Sequence, residues 1–116
     1  MTHGEIWLID FGIPVGSLPA KMRPAVVMQN DLLGIKHLNT VVVIPFTSNL
    51  VSSEHEPNIF FKKEETGLSK DSVAVIHLIG AANKFCFERK ISKLSEENYQ
   101  KLIDAVVKLI TNKSNA

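Results

Sequence analysis

Two polar residues at the ends of apolar runs carry most of the chemistry this sequence offers. Arg23 opens the run Pro24-Ala25-Val26-Val27-Met28, and Thr47 closes the run Val41-Val42-Val43-Ile44-Pro45-Phe46, with Ser48 and Asn49 directly after it. A guanidinium presents a rigid fork of N–H donors that matches phosphate oxygens, and a hydroxyl can donate to a phosphoryl oxygen. If the two runs are neighbouring strands, Arg23 and Thr47 meet at one end. There they could hold and polarise a phosphodiester without a metal ion. Lys21, two residues before Arg23, would add charge to the same place. Taken singly, an Arg-Pro or Thr-Ser pair is unspecific and reads first as a solvated strand start and a turn hydroxyl.

Other chemistries leave no pattern. There is no Cys-x-x-Cys pair, no His-Glu-x-x-His, no calcium loop, no phosphate-cradling glycine loop and no Gly-x-Ser-x-Gly elbow. His3, His37, His55 and His77 are scattered. Cys86, between Phe85 and Phe87, reads as a small buried hydrophobe in a strand. No cofactor or metal is expected. Thirteen basic residues against twelve acidic leave a net charge of +1, so nucleic-acid binding would need a local patch. Arg23 and Arg89 are the two arginines, and Lys21, Lys36, Lys62, Lys63 and Lys84 are the lysines expected to build such a patch.

The elements that must position these groups are mostly strands. Residues 5–11 form the first, rich in β-branched and aromatic side chains, with Trp7, Ile9 and Phe11 on one face. Residues 12–21 hold Gly12, Pro14, Gly16, Ser17 and Pro19 and read as a long loop, where function tends to sit. Arg23-Pro24 restarts extended chain, and residues 25–29 read as a central strand. Residues 30–34 suggest a turn. Residues 40–44 form the strongest strand, which Pro45 ends or places at an edge. Residues 58–61 and 72–76 add two strands around a turn at Gly67, and residues 85–91 a sixth. Ser95 is an N-cap, Glu96 and Glu97 suit a helix start, and Tyr99, Leu102, Ile103, Val106 and Ile110 recur at helical spacing. Strands first and one helix last predict a mainly β, α+β small barrel of antiparallel strands with a C-terminal amphipathic helix. A doubly wound parallel sheet is excluded, because no helical crossovers separate the strands. With 116 residues and 45% hydrophobic content, one domain over 1–112 is expected, with a polar frayed tail over 113–116. A lone cysteine, no signal-type N-terminus and no apolar run of about 20 residues point to a cytoplasmic protein without a membrane span.

Several blocks, in order, resemble the MazF/PemK-type toxins. They are Gly4-Glu5-Ile6-Trp7-Leu8, the Gly16-Ser17 loop, Arg23-Pro24-Ala25-Val26-Val27-Met28-Gln29-Asn30-Asp31, Val42-Val43-Ile44-Pro45-Phe46-Thr47-Ser48, Gly67-Leu68-Ser69-Lys70-Asp71-Ser72-Val73-Ala74 and Lys93-Leu94-Ser95-Glu96-Glu97. The resemblance implies an SH3-like barrel shared with the gyrase poison CcdB. It implies a homodimeric mRNA interferase that cuts single-stranded RNA at short sequences through its 2′-hydroxyl, with no metal. Arg23 and Thr47 then take the places of the family's catalytic pair. Ser17, Lys21, Ser48, Asn49 and His77 become RNA-binding candidates, and a cognate antitoxin with an acidic disordered segment becomes the partner. The sequence departs from the family at Leu18-Pro19, where Glu-Gln is common, and at Gly80-Ala81-Ala82-Asn83, where Arg-Thr-Ile-Asp is common. It departs again at His77-Leu78, which replaces a Glu and a Gln. These departures bear on RNA recognition and on activity. A catalytically weak SH3-like module binding nucleic acid or peptide, or a CcdB-like gyrase poison, would share the fold.

Overall fold

The computed structural model describes residues 1–18, 21–32 and 36–111. Pro19, Gly34 and the expected tail at 113–116 lie outside these.

Among the described residues, seven strands build one antiparallel sheet: β1 (Glu5–Asp10), β2 (Met22–Val27), β3 (Thr40–Thr47), β4 (Ile59–Phe61), β5 (Ser72–Ala74), β6 (Gly80–Asn83) and β7 (Phe87–Lys93). The order is β4-β5-β3-β2-β1-β7, with β6 also on β3. Register shifts between Ile6 and Trp7 and between Leu8 and Ile9 bend the β1–β7 pair, as bulges do. The curled ends meet where the Ser92 hydroxyl of β7 donates to the Thr66 carbonyl. Thr66 closes α1 (Lys63–Thr66), a single turn absent from the sequence reading. Gly67 caps it at φ 76°, and a Cβ there would lie 2.9 Å from the Ser92 side chain. Both backbone and space therefore require glycine at this junction.

Three expectations change. Pro45 neither ends β3 nor sits at an edge: it is buried in the middle of the sheet, paired with Ala25. Its carbonyl accepts from the Val75 N–H at 3.0 Å. The side of its backbone that lacks an N–H therefore faces the step where the partner of β3 changes from β6 to β5. Residues 80–83 form β6, which the sequence reading passed over, because Gly-Ala-Ala-Asn has little strand propensity and is held by its pairing with residues 40–43 of β3. Cys86 lies in a 3-10 turn before β7 and is half-buried, while its neighbour Phe85 is 85% exposed.

Helix α2 (Glu96–Thr111) follows the N-cap that Ser95 suggests, with Asn98 N–H donating to the Ser95 hydroxyl at 3.2 Å. Tyr99, Leu102 and Ala105 are buried, and Ile103 and Val106 are half-buried, but Ile110 is 73% exposed, so the buried face ends a turn early. Leu102 and Ala105 join Ile6, Val26, Ile44, Phe46, Phe61 and Ile76 in the main core. A second cluster on the other face of β1–β3 gathers Ile9, Ala25, Val27, Val41 and Val43, flanked by Trp7, Phe11 and Phe87. No helix among the described residues is long and apolar enough to cross a membrane.

Glu5 is the buried acid of this frame, 7% exposed. Burial by itself would raise its pKa. Hydrogen bonds from the Trp7 indole, the Thr2 backbone, Lys90 and the Thr2 hydroxyl outweigh burial and hold it at about 2, against an ordinary 4.5. The Trp7 contact is 2.9 Å and the Lys90 ion pair 3.3 Å. A folded pKa below the unfolded one stabilises above pH 4.5, and the contribution is lost as pH falls through about 2. Glu5→Gln is expected to cost roughly 3 kcal/mol at pH 7 and about half that at pH 3. Urea unfolding of both proteins at the two pH values checks this; a gap that does not shrink in acid would contradict it.

Candidate RNA-binding cleft

The β2–β3 register places Ala25 opposite Pro45, Val26 opposite Ile44 and Val27 opposite Val43. Continued two residues past Ala25, it sets Arg23 across from Thr47. The meeting expected from the sequence is thus a consequence of strand register. Both residues are half-buried, and both line two adjoining cavities.

The larger cavity, of about 830 Å³, runs along the β2, β3 and β7 side of the sheet. Its lining includes Lys21, Arg23, Lys70 and Arg89, with hydroxyls from Thr47, Ser48, Ser69 and Ser72, and no acidic residue among the described residues. Four cations on one concave wall make a strong local positive field in a chain whose net charge is only +1. Arg89 arrives through β1, since Leu8 pairs with Pro24 on one side and with Arg89 on the other. Lys70 comes from the segment after Gly67. Of the five lysines expected to form the patch, Lys21 alone lines this cleft; Lys36 and Lys84 line a separate hollow near Met1. The signals for the two residues passed over were present: Arg89 is one of two arginines, and Lys70 lies inside the Gly67–Ala74 block.

The loop over 12–21 has its ends tied. Phe11 N–H donates to the Lys21 carbonyl at 2.8 Å, and Lys21 N–H donates to the Gly12 carbonyl at 2.7 Å. Lys21 holds φ 57°, the left-handed region that a non-glycine residue rarely adopts. This backbone outlier sits on the cleft wall, where such strain tends to collect.

Thr47 is set up as a donor. Its hydroxyl oxygen accepts from the Asn49 N–H at 3.1 Å, which leaves the hydroxyl proton to point elsewhere. The Asn49 side chain accepts from Val51 N–H at 3.2 Å and caps the 3-10 turn Leu50–Glu54. Asn49 lines neither cavity and is exposed, and its backbone N–H is its link to Thr47.

The smaller cavity, of about 230 Å³, receives Ser17 and His77 beside Arg23 and Thr47. Leu18, one of the family departures, lines both cavities, and His77 and Leu78 line the smaller. Gly80, Ala81, Ala82 and Asn83 belong to β6 and line neither. The histidines stay apart, and among the described residues no group of three His, Cys, Asp or Glu side chains could hold a metal ion.

An antiparallel sheet that carries a cationic, hydroxyl-lined cleft beside an Arg–Thr pair defines a small β protein with a candidate site for a polyanion. Residues 2–110 match the family described as PemK-like, MazF-like toxin of type II toxin-antitoxin system, and the chain belongs to that family. It is 37% identical over 84 residues to endoribonuclease MazF2 of Mycobacterium bovis, covering 72% of this chain and 74% of that one. It is 28% identical over 106 residues to endoribonuclease MazF of Staphylococcus saprophyticus, covering 91% and 88%. The fold matches a solved endoribonuclease in complex with its cognate antitoxin from mycobacterial species, with a TM-score of 0.69 at 14% identity over 92% of this chain and 91% of that one.

Proposed function

We propose that this toxin is a metal-independent endoribonuclease that cuts single-stranded RNA in the cytoplasm at short sequences. The observation that carries the reading is the Arg23–Thr47 pair on the wall of a cleft whose charged lining is, among the described residues, wholly cationic. The substrate's 2′-oxygen displaces the 5′-oxygen at the adjacent phosphorus. The 2′-hydroxyl gives up its proton, the 5′-oxygen takes one up, and the ends are a 2′,3′-cyclic phosphate and a 5′-hydroxyl. A guanidinium is a permanent cation, so Arg23 stabilises the phosphorane charge. Thr47 donates to a non-bridging oxygen. Lys21, Lys70 and Arg89 seat the flanking phosphates, and Ser17, Ser48 and His77 contact the strand.

Incubation with a long single-stranded RNA in EDTA, followed by mapping of the ends, tests this. Cuts with 5′-hydroxyl ends are expected, and a single 2′-deoxy substitution at a cut position should remove that cut, because DNA lacks the nucleophile. Loss of cleavage on chelation with rescue by a divalent ion would overturn the proposal.

The reading extends to a homodimer. Phe85 stands exposed next in the chain to Cys86, which with Trp7 and Phe87 is half-buried against the second core cluster, and a second copy would cover such a surface. Sedimentation at micromolar concentration is expected to show a dimer; a fully active monomer would refute it.

A further inference from the structure

Cleavage as proposed above leaves one proton without an acceptor, the proton on the attacking 2′-hydroxyl. The side chains around Arg23 and Thr47 limit what can take it. Among the described residues, neither the larger cleft nor the smaller cavity is lined by an aspartate or a glutamate. Lysine and arginine side chains already carry their proton at neutral pH, and serine and threonine hydroxyls are too weakly basic to hold one. Leu18, which lines both spaces, has no atom to offer. An imidazole is different: near neutral pH it is partly uncharged and presents a nitrogen lone pair. Among the described residues, His77 is the one histidine that lines either space. His3 lines a separate hollow beside Tyr99.

The backbone beneath His77 is held firmly. His77 stands on the 3-10 turn Ile76–Leu78, and the 3-10 turn Leu50–Glu54 supplies Ser52 to the same cavity. Asn58 joins the two turns. Its Oδ1 accepts from the Ile76 N–H at 2.9 Å, and its Nδ2 donates to the Ser52 carbonyl at 3.1 Å. The Val75 N–H donates to the Pro45 carbonyl at 3.0 Å, which ties the His77 turn to β3 two residues before Thr47. The ring itself is exposed and, among the described residues, has no hydrogen-bond or ion-pair partner. It is open to a substrate hydroxyl, and it can exchange its proton with water between turnovers. Arg23 is the other charged side chain lining this cavity. Of the elements packed against the turn, β3 carries no charged residue. The charged residues of α2, which are Glu96, Glu97, Lys101, Asp104 and Lys108, stay outside the lining.

Arg23 and Thr47 line the smaller cavity and the cationic cleft alike, so a phosphate held by both is shared by the two spaces. The attacking 2′-oxygen belongs to the nucleotide that carries this phosphate and must come within about 3–3.5 Å of phosphorus. Its proton acceptor must therefore stand on a wall that adjoins Arg23 and Thr47, and His77 stands on one.

We infer that His77 is a catalytic residue, the general base that takes the 2′-hydroxyl proton. This rests on the RNA-cleaving reading above and adds its proton acceptor. The 2′-O–H bond breaks as the oxygen bonds to phosphorus, and the proton passes to a ring nitrogen. The P–O5′ bond breaks with its electron pair on the 5′-oxygen, which takes a proton from water. The imidazolium gives its proton to the hydroxide left behind, so nothing is consumed.

The test follows single-turnover cleavage of one RNA in EDTA, from roughly pH 5 to 9, by the wild type, His77→Ala and His77→Gln. The wild-type rate should rise about tenfold per pH unit at the acid end and level off once the imidazole is uncharged. Both variants should be slower by about 10²-fold or more at neutral pH, the scale of a positioned base. Their rates should keep rising where the wild type has levelled, because hydroxide then removes the proton. Glutamine keeps a polar group and cannot take the proton, so His77→Gln separates proton transfer from a hydrogen bond. Affinity for the matching 2′-O-methyl RNA, which lacks the nucleophile, should stay within about threefold, since the contact acts on the reaction and not on binding. The exposed position lets both variants fold, which thermal melts check. A wild-type rate in either variant, an unchanged pH profile, or a loss of affinity as large as the loss of rate overturns the inference and leaves RNA cleavage standing. A wild-type protein that cuts no RNA at any pH overturns both.

Discussion

Arg23→Ala is expected to slow RNA cleavage by roughly 10³-fold or more, the range in which an arginine that stabilises phosphoryl-transfer charge is worth its place. Thr47→Ala is expected to cost about 10²-fold, the scale of one lost oxyanion donor. The difference follows from the chemistry. Arg23 offers charge and several N–H groups where phosphorane charge develops, whereas Thr47 offers a single neutral hydroxyl, aimed outward because its oxygen already accepts from Asn49 N–H. Arg23→Lys should fall between wild type and alanine, since it keeps the charge and loses the planar fork. Both residues are half-buried on the wall of a cleft and not in the core, so melting temperatures should move little. Single-turnover rates with melts on the same samples check the prediction. Wild-type rates in both alanine variants would place the active site elsewhere.

An acidic antitoxin segment should abolish cleavage by occupying the same cleft. Lys21, Arg23, Lys70 and Arg89 face one concavity with no acidic residue among the described lining, so a carboxylate-rich peptide meets the same field as an RNA backbone. Ile13, Val15 and Leu18 stand exposed on the loop at its rim, between 61% and 84% accessible. They give such a segment apolar anchors that RNA phosphates would not use. The segment is expected to be disordered when free, to bind tightly by wrapping a long surface, and to associate more slowly as salt rises. Competition between the segment and an uncleavable RNA measures this. Simultaneous binding of both, with neither affinity reduced, would show that the partner docks on another face.

Local pattern was enough for much of this molecule. The β-branched runs at 5–11 and 40–44, the Ser95 cap and the helical spacing from Tyr99 to Val106 are short-range signals, and each became the expected element. The Arg23-Pro24 and Thr47-Ser48 ends were legible as candidates for the same reason: a polar residue bounding an apolar run is visible without a fold. What chain-local chemistry could not determine was set by pairing. Gly80–Asn83 is a strand because β3 holds it, and Pro45 is tolerated in mid-sheet because its donor-less side faces a change of partner. Arg89 and Lys70 join the cleft because the curled sheet brings β7 and the segment after Gly67 beside β2 and β3. Asn58 acquires its place because one amide happens to reach two 3-10 turns eighteen and six residues away. The residue types, the strand runs and the final helix were determined by the sequence alone, through hydrophobic periodicity and capping. Which cations share a wall, and which turns face each other across a cavity, only the tertiary structure decided, because register and sheet curvature join residues whose separation in the chain carries no local signal.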